Sequence, residues 1–178
     1  MTTLVIHPYD PSTDFLIPIY EGIKDATVVT SGVTKEEVLQ LIEEHDRVIM
    51  LGHGSASGLF SVGQFRSYGM IIDHVMVKAL SKKTDNVYIW CNADRFVEEH
   101  SLKGFYTGMF ISEYGEAQYC NVPTYKGEVE KSNELFAKLV GEHINESPLD
   151  LFKTLKKSYN VPNSGVAAYN NDRLYLAD

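Results

Sequence analysis

Hydrophobic positions along the chain gather in short continuous runs rather than in strict alternation with polar ones. Runs at residues 4–7, 26–30, 47–51, 87–91, 105–111 and 166–169 are rich in β-branched and aromatic side chains, the pattern of strands buried on both faces. Between them the spacing turns helical. Thr34 and Glu37 form a capping box ahead of Val38, Leu39, Leu41 and Ile42, which predicts a helix reaching His45. Ile72, Val75, Met76, Ala79 and Leu80 have the spacing of a second packed helix. Val129, Leu135, Phe136, Leu139 and Val140 predict a third, ending near Asn145. Ser147 and Pro148 read as an N-cap followed by proline at the first helical position, opening a fourth through Leu151, Phe152, Leu155 and Tyr159. Strands alternating with helices predict an α/β fold, a doubly wound three-layer sandwich. Its sheet is mostly parallel, of about six strands, within one domain over residues 1–178. Sites in such sheets lie outside the carboxyl ends of the strands.

Two strand ends carry chemistry. The run 47–51 leads into Gly52-His53-Gly54-Ser55, and the run 87–91 ends in Cys91-Asn92-Ala93-Asp94. On neighbouring parallel strands, His53 and Cys91 emerge at the same edge. An imidazole there can take the proton of a thiol, and the thiolate is the reactive form. Glycine at position 54 lets backbone N–H groups approach a substrate closely, as an oxyanion site requires. Each feature also has a plain structural explanation. A cysteine closing an apolar strand is usually a small buried hydrophobe, and Gly-His-Gly also serves as a tight strand-to-loop turn. Their occurrence at the ends of two consecutive strands favours the chemical reading.

Strand–His-Gly, helix, strand–Cys resembles the caspase-hemoglobinase fold, which includes caspases, metacaspases, legumains, gingipains, separases and bacterial CHAT domains. The resemblance covers most of the chain in topology, and its sharp motifs are His53-Gly54 and Cys91. It implies a caspase-like cysteine endopeptidase with a His-Cys dyad. Cys91 would be the nucleophile, His53 the acid/base, and the N–H groups of Gly54 and Cys91 the oxyanion hole. It also implies no metal or other cofactor. Ile89 replaces the aspartate that metacaspases place two positions before the nucleophile, and no activation-cleavage linker is evident. The alternative is a catalytically inactive module of the same fold that binds a protein partner or small ligand at these strand ends. An α/β hydrolase or glutamine amidotransferase fits less well, because those folds place the nucleophile ahead of the histidine.

Charge refines the picture. Sixteen basic residues against 24 acidic ones give a formal charge of −8, which argues against nucleic-acid and membrane-surface partners; the resemblance implies a protein or peptide substrate. Asp10, in the loop after the first strand, and Asp94 are candidate substrate-binding carboxylates for a basic side chain. Arg66 and Arg95 are the corresponding candidates for an acidic one. Each also reads as an ordinary solvated charge. Cys120 lies in a loop segment and reads as structural. Two cysteines make no secreted-type disulfide framework, and the amino terminus reads as a strand rather than a signal peptide, so a soluble cytoplasmic protein is expected.

Overall fold

A computed structural model describes all of residues 1–178. Along the chain the strands are β1 (Thr3–Ile6), β2 (Thr27–Val29), β3 (Arg47–Leu51), β4 (Gly54–Ser55), β5 (Gly58–Phe60), β6 (Met70–Ile72), β7 (Val87–Ile89), β8 (Gly104–Thr107) and β9 (Leu174–Ala177). The helices are α1 (Pro18–Glu21), α2 (Lys35–Glu44), α3 (Val77–Leu80), α4 (Ala93–Glu99), α5 (Tyr114–Tyr119), α6 (Lys126–His143), α7 (Pro148–Ser158) and α8 (Gly165–Asp172). Six strands form one sheet in the order β2-β1-β3-β7-β8-β9. Every pair is parallel except β8 with β9. A small antiparallel sheet, β4-β5-β6, is inserted into the crossover from β3 to β7.

Both faces of the large sheet are covered, which is why its strands read as unbroken apolar runs. Leu4, Ile6, Val48, Met50 and Tyr88 face a core completed by Ile42 of α2, Leu80 of α3 and Phe96 of α4. Val5, Ile49, Leu51, Val87 and Phe105 face an opposite core completed by Phe136 of α6 and Leu155 of α7. Two of the expected helix starts are present in detail. Thr34 Oγ1 accepts from Glu37 N at 3.2 Å while Glu37 Oε2 accepts from Thr34 N at 2.7 Å. Ser147 Oγ accepts from Asp150 N at 3.2 Å, with Pro148 as the first residue of α7. No helix is long and apolar enough to cross a membrane.

Two expectations are corrected. Residues 166–169 are not a strand but lie within α8, where Ser164 caps the helix and Val166, Ala167 and Asn170 are buried on one side. The sixth strand is β9, antiparallel to β8. The helix expected from Ile72 to Leu80 is shorter. Ile72 belongs to β6, Asp73 accepts from Val75 N at 3.0 Å to open a 3-10 turn at His74–Met76, and only Val77–Leu80 is α-helical.

The turn after β1 rests on His7, which is 3% exposed. Its Nδ1 meets the Tyr20 hydroxyl at 3.1 Å and its Nε2 meets Thr13 Oγ1 at 3.0 Å. Thr13 donates its own proton to the Asp10 carbonyl at 3.0 Å, so Nε2–H donates to Thr13 and Nδ1 accepts from Tyr20. A neutral ring is thereby satisfied on both sides. Burial lowers the His7 pKa from 6.5 to about 4, against the opposing pull of Asp14 and Asp10. With a depressed folded-state pKa, the stability is present above pH 6.5 and drains away as pH falls toward 4, because only the unfolded chain takes up the proton. The contribution is roughly 3 kcal/mol. His7→Gln should flatten the stability-against-pH curve in this window, as read by urea unfolding at several pH values. Parallel curves for the two proteins would refute this account.

Candidate active site

β3 and β7 run side by side with Met50 opposite Tyr88 and Leu51 opposite Ile89. The pairing continues as Gly52 N donates to the Ile89 carbonyl at 3.1 Å. His53 and Cys91 each stand two residues beyond the last matched pair, so both leave the sheet at the same carboxyl edge. They line one cavity of about 20 Å³ with Thr13, Trp90, Phe110 and Ser112. It has room for about one water molecule.

The His53 backbone is fixed by the inserted hairpin, its carbonyl accepting from Phe60 N at 2.8 Å. Its ring is fixed by the turn after β1. Asp10 caps that 3-10 turn (Pro11–Leu16), and its Oδ1 accepts from Ser12 N at 2.9 Å and from Ser12 Oγ at 2.7 Å. Ser12 Oγ lies 2.6 Å from His53 Nε2, and Asp10 Oδ1 is 3.9 Å from the same nitrogen. The single hydroxyl proton of Ser12 goes to Asp10, so Nε2–H donates to Ser12 and Nδ1 is left as the lone-pair nitrogen of the ring. Those hydrogen bonds from Ser12 hold the Asp10 pKa below the usual carboxylate value.

Cys91 stands two residues past β7 and is followed by Asn92, whose φ of 65° turns the chain into α4. Asparagine is one of the few residues other than glycine that adopts this backbone readily. The thiol is half-buried, with the Phe110 carbonyl at 3.4 Å and Glu116 Oε1 at 3.8 Å. Burial first, and the Glu116 carboxylate second, push its pKa from 9.0 to about 12. At neutral pH this thiol is protonated. Glu116 itself is held in place by donation to its Oε2 from Ser112 N at 2.7 Å and Glu113 N at 3.1 Å.

The other residues singled out in the sequence are placed as follows. Asp10 supports His53 through Ser12 and lines neither the small cavity nor the larger cleft beside it. Asp94 lies on α4, likewise outside both, with Oδ1 buried and without a partner. Arg66 and Arg95 are exposed. Cys120 ends α5 and packs with Ile111, Ala117, Val129 and Val166. Ser12, Glu116 and Asn133 escaped the sequence reading. For Ser12 a signal was present, since Asp10-Pro11-Ser12 has the form of an N-cap with proline at the first helical position.

Gly54 is glycine for a packing reason. A Cβ there would lie 2.2 Å from Trp90 Cδ1 and 2.6 Å from the Gly58 carbonyl oxygen. The Trp90 indole is fixed in turn by donation to the Ser55 carbonyl at 3.0 Å. Gly54→Ala should therefore lower stability by about 1–3 kcal/mol, the range for overpacking, visible as a reduced thermal midpoint. A variant that melts with the wild type would remove this explanation. Comparison with known protein families, curated proteins and solved structures gives no significant match.

Proposed function

We propose that the chain is a cysteine hydrolase of caspase-like type that cleaves a protein or peptide substrate with His53 and Cys91. The observation that carries this reading is that both residues, at the ends of adjacent parallel strands, line one cavity at the carboxyl edge of the sheet. The parallel strands β2-β1-β3-β7-β8, covered by helices on both faces, support the doubly wound architecture on which it rests. In the reaction, the Cys91 proton passes to His53 Nδ1 while sulfur bonds to the substrate carbonyl carbon. His53 returns the proton to the departing amine as the C–N bond breaks, and water then hydrolyses the thioester. The N–H groups of Gly54 and Cys91 are the candidate donors to the oxyanion. The reading places the protein in the cytoplasm, where its two free thiols stay reduced.

Ser12 is a positioning residue here rather than the nucleophile. Its hydroxyl already donates to Asp10, and an alkoxide 2.7 Å from that carboxylate would be repelled. Ser12 and Asp10 select the ring tautomer with Nδ1 free, and Asp10 stabilises the imidazolium once the proton arrives. Removing either support should lower kcat about tenfold with little change in KM, whereas Cys91→Ala or His53→Ala should abolish cleavage. Mass spectrometry of a digested peptide library reads both outcomes.

A second reading, a non-catalytic ligand-binding module, is favoured by the surroundings of the thiol, which is half-buried against the Phe110 carbonyl and the Glu116 carboxylate. In the resting protein the rate of Cys91 alkylation by iodoacetamide should keep rising with pH past 9, since only the thiolate reacts. A library left intact by the wild-type protein would replace the hydrolase by the binding module.

A further inference from the structure

The carboxylate beside Cys91 is held more firmly than a helix cap requires. Glu116 Oε2 accepts from Ser112 N at 2.7 Å, from Glu113 N at 3.1 Å and from Ser112 Oγ at 3.1 Å. Ser112 is secured in turn from α6, where Asn133 Nδ2 donates to its carbonyl at 2.8 Å. With Oε2 engaged by three donors, Oε1 faces Cys91 Sγ at 3.8 Å, and the thiol is its hydrogen-bond partner. The sulfur has one other acceptor, the Phe110 carbonyl at 3.4 Å. Both neighbours accept, so both favour the S–H form and neither offers a proton to a thiolate. The remaining titratable side chains about the sulfur are His53 from the end of β3, Cys120 at the far end of α5, and Tyr169 of α8, with Arg173 stacked on the Tyr169 ring. None of these is hydrogen-bonded to it. The adjoining cavity admits about one water, so solvent screens the carboxylate poorly.

The cap itself does not need this charge. At the third position of a helix, glutamine completes a capping box as glutamate does. Helix α5 therefore asks only for a side-chain oxygen on the amides that precede it, and not for a second, anionic oxygen against the sulfur. We propose that Glu116 is a brake on Cys91, a carboxylate clamped beside the sulfur that keeps the resting thiol unreactive. Its value as a control on catalysis rests on the hydrolase reading, but its hold on the thiol needs no bond cleavage. Glutamine here keeps one oxygen on the three donors and turns an amide N–H toward the sulfur. The same side-chain shape then changes from an acceptor that opposes the thiolate to a donor that stabilises it.

The test is alkylation by iodoacetamide in the full-length protein, with Cys91 and Cys120 followed separately by mass spectrometry of digests. At about pH 8, Cys91 in Glu116→Gln should react at least about tenfold faster than in the wild type, the gain that a one-unit fall in thiol pKa gives. Cys120, which ends the same helix, should keep its rate within about twofold. Glu116→Asp opens more space beside the sulfur but keeps the charge, so it should accelerate Cys91 less than Glu116→Gln does. In the wild type, which depends on no variant folding, the Cys91 rate should still be climbing at about pH 10. A wild-type rate that levels off near the ordinary thiol value of about 8.5, or an unchanged Cys91 rate in Glu116→Gln, would overturn the proposal. So would equal acceleration of Cys91 and Cys120, the mark of a loosened helix, or a Glu116→Asp thiol as fast as that of Glu116→Gln. A thiol released as expected in Glu116→Gln, in a protein whose wild type leaves a peptide library intact, would overturn the hydrolase reading alone.

Discussion

The carboxyl edge of the sheet depends on the height at which β7 is held against β3. Asn86, the fully buried residue before β7, sets that height. Its Oδ1 accepts from Val48 N at 3.1 Å, and its Nδ2 donates to the Leu80 carbonyl at 3.2 Å and to the Tyr88 hydroxyl at 3.1 Å. Its backbone carbonyl accepts from Phe105 N at 3.0 Å, which draws in β8 as well. Gly104 makes that approach possible, because at its φ of +126° a Cβ would stand 2.0 Å from the same oxygen. One side chain and one glycine thus lock three strands at their amino ends. A slip of one residue would turn every buried side chain of β7 to the wrong face. It would also move Cys91 out of line with His53. At the start of β3, Arg47 Nη1 donates to the Ile144 carbonyl at 2.7 Å, just past the end of α6. The helix that carries Asn133 is therefore tied to the same strand that carries His53.

What the residue pattern revealed follows from where local physics decides the outcome. Strands β1, β3 and β7 were legible because burial on both faces demands an unbroken apolar run, and α2 and α7 because their caps are local to a few residues. The misreading of 166–169 has the opposite cause. Val166-Ala167-Ala168-Tyr169 is too short for periodicity to separate a strand from a helix. The Ser164 cap and the burial of Asn170, whose Nδ2 donates to the Ile111 carbonyl at 2.8 Å, decide for helix. The hairpin sheet was missed because β4 is only Gly54–Ser55 and β5 only Gly58–Phe60. Gly58, in β5, packs so tightly that a Cβ would stand 1.9 Å from the Ile72 carbonyl oxygen.

The candidate dyad was legible for the same reason as the strands, since His53 and Cys91 sit where strand ends deliver them. The supports were not. Ser12 meets His53 across the point where the strand order reverses between β1 and β3, the position at which open α/β sheets gather ligand-binding residues. Glu116 meets Cys91 from a helix after β8, and Asn133 meets Ser112 from α6. Each is a contact between segments far apart in sequence, and no local spacing encodes it. The same holds for the electrostatics, because burial and Glu116 act on Cys91 only in the folded chain.

These supports pull the two candidate groups in opposite directions. Around Cys91, loss of water and a nearby carboxylate both favour the neutral thiol. Around His53, the Asp10–Ser12 pair favours a ring ready to accept a proton at Nδ1. Transfer from sulfur to imidazole turns two neutral groups into an ion pair, and the two sides respond unequally. The new cation gains from Asp10, while the new thiolate loses to Glu116 unless the imidazolium comes close enough to outweigh it. The cavity they line admits about one water, so a thiolate there is poorly solvated at rest, whereas the His53 ring keeps part of its surface in solvent. The N–H and hydroxyl of Ser112 both donate to Glu116 Oε2, the hydroxyl at 3.1 Å, so the carboxylate that opposes ionisation of the thiol is held beside it from the loop after β8.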